Sequence, residues 1–91
     1  MAKPSKPTIK SELDDVLINA SRLKPKPEKP LPDEATLTGD LRIGPQRKKA
    51  LSSDYNGIIR AHNGKGPPIS PSEAGDFETV TQTEDEVFDR I

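Results

Sequence analysis

Lys24-Pro25-Lys26-Pro27-Glu28-Lys29-Pro30-Leu31-Pro32-Asp33 is the stretch on which the reading of the fold turns. Proline fixes φ and lacks an N–H, so such a run predicts an extended polyproline II spacer of about 3 Å per residue. Prolines also stand at Pro4, Pro7, Pro45, Pro67, Pro68 and Pro71, interrupting the chain throughout its length.

Composition points the same way. The 91 residues include only three aromatics, Tyr55, Phe77 and Phe88, and no Trp. Leu, Ile, Val and Phe together number 19, just above the range where disorder is the default. Charged residues make up 32%, yet the net charge is −1, so self-repulsion does not keep the chain open; scarce apolar surface does. The expectation is therefore a mostly irregular, extended chain, intrinsically disordered when free, with no autonomous globular core. A partner would supply the missing interior.

Cysteine is absent, which excludes a disulfide framework and thiolate metal sites, and fits a reducing intracellular compartment or a virion. No run of 18 apolar residues exists, so no membrane span is expected. The start, Met1 to Pro7, is basic but lacks the apolar segment of a secretory signal, so classical secretion is not expected.

Outward from the proline run, five segments emerge. Residues 1–23 read as a basic arm with an amphipathic helix near 12–23. Ser11 is its cap, Leu13, Val16, Leu17 and Ala20 form its stripe, and Pro25 stops it. Residues 24–35 are the proline linker. Residues 36–62 are a mixed binding segment, with short β character over Thr36–Ile43 and a short helix near 50–61 carrying Leu51, Tyr55, Ile58 and Ile59. Asn56-Gly57 in that helix equally suggests a turn. Residues 63–76 read as a Gly/Pro/Ser linker. Residues 77–91 form an acidic–hydrophobic tail of short strand or helix pieces, with Thr83 and Glu86 at capping-box spacing.

Candidate chemistry is sparse. Arg47-Lys48-Lys49 is the one dense basic cluster and is suited to phosphate or an acidic protein surface. Glu84, Asp85, Glu86 and Asp89 lack the alternating ligands and the glycine of a calcium loop, so no metal is assigned. His62 is the single histidine, and Asn63-Gly64-Lys65-Gly66 fails the phosphate-loop spacing because Pro67 follows. Pro4 to Pro7 and Pro27 to Pro30 match PxxP, and Asp89-Arg90-Ile91 ends like a PDZ ligand; both patterns are too short to assign a partner. No catalytic residue, cofactor or small-molecule substrate is expected, and no enzyme.

The function expected from these residues is that of a structural or interaction protein. It would lie extended on a larger assembly with several neighbouring subunits and become ordered on binding. A minor cement or clip component of a virus particle, such as a phage head or tail, has this build. Its anchors would be Leu13, Val16, Leu17, Ala20, Leu51, Tyr55, Ile58, Ile59, Phe77, Val80, Val87, Phe88 and Ile91. The alternatives are a disordered regulator or inhibitor that folds on one globular target, and, ranked lower, a nucleic-acid-binding accessory protein.

Overall fold

Three prolines start helices instead of stopping them. The computed structural model describes residues 5–91, so Met1 to Pro4, with half of the first PxxP pattern, lie outside the described residues. Pro7, Pro45 and Pro71 each occupy the first or second position of a helix, where the missing N–H has no intrahelical partner to lose. The helices are α1 (Lys6–Ala20), α2 (Pro45–Ala50), α3 (Ser52–Ala61), α4 (Pro71–Asp76) and α5 (Val80–Phe88). α3 lies centrally and packs against all four others, while α1 also packs on α5, and α2 on α4.

α1 begins six residues earlier than the sequence indicates. Ser5, not Ser11, is its cap and accepts from the Thr8 N–H, which adds Ile9 to the buried stripe of Leu13, Leu17 and Ala20. The helix ends at Ala20, where Ser21 turns to extended backbone, and Lys26 reaches back from the proline run onto that end. Its ammonium donates to the carbonyls of Ile18, Asn19 and Ser21 at 3.2, 3.2 and 2.9 Å. These carbonyls lie at the negative end of the helix dipole, and that of Ile18 accepts from the Ser21 N–H as well.

The α3 region follows expectation over 52–61, and Asn56-Gly57 does not interrupt it. It closes with a Schellman turn in which Asn63, at φ 58, sends its N–H to Arg60 and Gly64 sends its own to Ile59. α4 arises inside the expected linker, from a complete capping box between Ser70 and Glu73. In the tail, Thr79 and not Thr83 caps α5, and Thr83 is buried inside the helix. β structure shrinks to one antiparallel bridge, Thr36 to Thr79, beside which the Leu37 N–H donates to Glu78 at 2.8 Å.

The expectation of a disordered chain without its own core is overturned. Of all the Leu, Ile, Val and Phe residues, only Val16, Ile18, Leu23, Phe88 and Ile91 are not fully buried, and each of these is half-buried. The radius of gyration is 12.2 Å, against about 12 Å for a folded chain of this length and about 30 Å unfolded. The 24–35 segment is likewise no spacer, since Leu31 and Ala35 enter the core.

Three helix side chains hold the backbone groups of apolar residues within the proline-rich segments. Leu31, flanked by Pro30 and Pro32, has its N–H held by Asp14 and its carbonyl by Lys10. Ile69, which follows Pro68, has both its groups held by the Asn56 amide, at 2.7 and 3.0 Å. Prolines themselves bring no donor that needs a partner, so such segments can cover a core at low polar cost.

Candidate functional site

The anchors expected to meet a partner are used internally. Leu13, Leu17, Ala20, Leu51, Tyr55, Ile58, Ile59, Phe77, Val80 and Val87 are buried in the chain's own core, and Val16, Phe88 and Ile91 pack against its edge. Tyr55 stacks obliquely on Phe77, with ring centroids 5.7 Å apart. Its hydroxyl is buried beside Thr83 without a hydrogen bond of acceptable geometry, and burial pushes its phenol pKa well above the ordinary value.

The basic cluster read from the sequence divides in space. Arg47 is exposed, Lys48 is buried with its ammonium 3.4 Å from the Thr38 hydroxyl, and the Lys49 stem lies against Gly75. Arg47 instead joins cations from two other segments. The Ser21 hydroxyl donates to the Leu41 carbonyl at 2.6 Å, which brings Arg22 and Lys24, just past α1, beside Arg42. Arg42 takes a left-handed conformation, φ 58, which costs an L-residue about 1–2 kcal/mol. The turn around it is closed by the Ile43 N–H donating to Leu37 at 2.8 Å.

Arg22, Lys24 and Arg42 line a shallow cleft of about 410 Å³, and the basic surface continues past Lys26 to Arg47. The side chains of Arg22, Lys24, Arg42 and Arg47 make no hydrogen bond or ion pair among the described residues. Three other surface cations are neutralised, Lys6 by Asp85 at 2.6 Å, Lys29 by Asp15 at 3.0 Å, and Arg90 by Glu73 and Glu86 at 2.8 and 2.9 Å. The exposed Lys49, Arg60 and Lys65 stand apart from this cleft without an ion pair among the described residues. Its bond to Asp85 raises the Lys6 pKa above the ordinary lysine value.

A second cleft, of about 430 Å³, adjoins the first and shares Leu23 with it. Its floor holds Pro27, Pro32 and Leu41, and its rim carries the exposed carboxylates Glu28, Glu34 and Asp40. Asp40 accepts from the Thr36 N–H at 2.9 Å; Glu28 and Glu34 have no such partner among the described residues. Two depressions that meet at Leu23 therefore carry opposite charges.

The acidic tail is dispersed. Glu84 is buried, and burial followed by the neighbouring Asp33 raises its carboxyl pKa above the ordinary 4.5. Asp85 faces Lys6, and Glu86 holds Arg90. No group of three or more metal-ligating side chains occurs among the described residues. His62 bonds Glu12 at 2.5 Å, joining the end of α3 to α1. The Arg90 guanidinium also donates to the Pro67 carbonyl at 3.0 Å, so the residues read as a PDZ-like ending are tied to the body.

The basic cleft was not legible from spacing, because it draws its charges from segments far apart in sequence, and the acidic one was not because Glu28, Glu34 and Asp40 follow no helical or strand period. The contact that builds the basic cleft, Ser21 to Leu41, left no signal in the sequence, since only the folded chain shows that this hydroxyl is buried. Comparison of the chain with family models, curated proteins and solved structures gave no match.

Proposed function

We propose that this chain is a non-enzymatic structural or interaction protein of a larger protein assembly, docking as a prefolded module through its basic end. A minor component of a virus particle falls within this reading. The observation that carries it is the gathering of Arg22, Lys24, Arg42 and Arg47, unneutralised, onto one end of a chain whose net charge is −1. Four like charges held together raise the local potential, which favours an acidic partner. An acidic protein surface suits this end better than nucleic acid. Tyr55 and Phe77 are buried and Phe88 is half-buried, which leaves no exposed ring for bases to stack on.

Gentle isolation of the native chain and of an Arg22→Glu/Arg47→Glu variant from the source tests the reading. The native chain should copurify with a protein assembly at fixed stoichiometry, and the variant should be released from it. A one-to-one complex with a single globular protein would favour a regulator. Association abolished by nuclease would favour a nucleic-acid accessory protein.

A further inference from the structure

We infer that the acidic surface met by this basic end is a second copy of the chain, the two copies related by a twofold axis running along Leu23. The inference rests on the docking role of the basic end proposed above and names its partner. Its basis is the pair of adjoining clefts: Arg22, Lys24 and Arg42 on one side of Leu23, Glu28, Glu34 and Asp40 on the other.

A twofold interface brings the same patch of each copy face to face, so the patch has to complement itself. A uniformly charged patch repels its own copy. A patch divided into a positive and a negative half does not, if the axis lies in the interface along the dividing line. Each basic half then covers the partner's acidic half, and both contacts form at once. Leu23, half-buried in the monomer and shared by both clefts, sits on that line. Pro27, Pro32 and Leu41 on the acidic side supply apolar floor at the centre of the contact.

The charges are also free for the purpose. Arg22, Lys24, Arg42, Glu28 and Glu34 lie near one another on a single chain yet make no ion pair within it among the described residues, whereas Lys6, Lys29 and Arg90 do. Pairing across a copy satisfies them. Exposed ionic contacts at such a rim are screened by salt, so the association should weaken as ionic strength rises.

Sedimentation equilibrium of the full chain at low salt tests the inference, with Arg42→Glu and Glu34→Arg variants run singly and mixed. The native chain should rise with concentration from its 9.9 kDa mass towards twice that. Each variant alone should dimerise more weakly than the native chain, because the altered half keeps only a fraction of its net charge and places a like charge against the copy. Their equimolar mixture should associate more strongly than either variant alone, since the intact acidic half of one then meets the intact basic half of the other and each introduced charge faces an opposite one. Lys24→Glu replaces Arg42→Glu should the latter unfold its turn, with circular dichroism checking the fold. A native chain that is monomeric throughout, or a dimer indifferent to every variant, overturns the inference. If the native chain is monomeric but Arg42→Glu still releases it from its assembly, the second copy is excluded while the docking role of the basic end stands.

Discussion

The Asp14 carboxylate accepts the backbone N–H of Leu31 at 3.2 Å across 17 residues of sequence, and this contact folds the proline run onto α1. Lys10, ion-paired with Asp14 at 3.1 Å, completes the clasp by donating to the Leu31 carbonyl at 2.6 Å. Asp14 is 1% exposed, so its charge is stabilised by these partners and not by water. Losing the carboxylate leaves a buried N–H without an acceptor and the Lys10 ammonium without its counter-ion. Asp14→Ala should therefore destabilise the chain by about 2–4 kcal/mol in urea unfolding, and Asp14→Asn, which keeps an acceptor, by less.

Gly57 and Gly64 should respond oppositely to alanine. Gly57 lies inside α3 with open space where a Cβ would stand, so Gly57→Ala should stabilise by about 0.5–1 kcal/mol and raise Tm. A Cβ on Gly64 would stand 2.6 Å from both the Arg90 carbonyl and Ile59 Cγ2. Gly64→Ala should lower Tm, because the C-terminal turn would have to move off α3.

Tyr55 is the single tyrosine in a chain without Trp, which gives alkaline titration at 295 nm one clean reporter. Its folded pKa is raised, so its contribution to stability is complete below the ordinary phenol value of about 10 and falls as pH rises above it. Ionisation should coincide with unfolding measured by circular dichroism. Tyr55→Phe removes a buried hydroxyl that has no well-formed bond, and should leave stability unchanged or increase it.

Glu84 carries the reverse cost. Burial and Asp33 raise its folded pKa, so its ionised form at neutral pH is disfavoured by folding, and that penalty disappears as pH falls through the unfolded value of 4.5. Glu84→Gln should raise Tm at pH 7 relative to the native chain, with the difference shrinking towards zero in acid.

The sequence by itself determined where helical periodicity lies. The stripe Leu13, Val16, Leu17 and Ala20 and the set Leu51, Tyr55, Ile58 and Ile59 follow a 3.6-residue repeat, and both are helical because local spacing alone sets which side chains share a face. The boundary signals were present but ambiguous: Ser5 and Ser11 both suit a cap, and Ser70-Pro71-Ser72-Glu73 is a capping box inside a loop-like composition. Whether a core forms was decided only by tertiary structure. Counting apolar residues treats each as partly used, whereas here nearly every one is buried. Prolines also restrict the unfolded chain before folding begins, which lowers the entropy that folding has to overcome. The two charged clefts belong to the same class of outcome. The basic one gathers its charges where the contact of Ser21 with Leu41 joins segments whose separation along the chain carries no trace of their meeting.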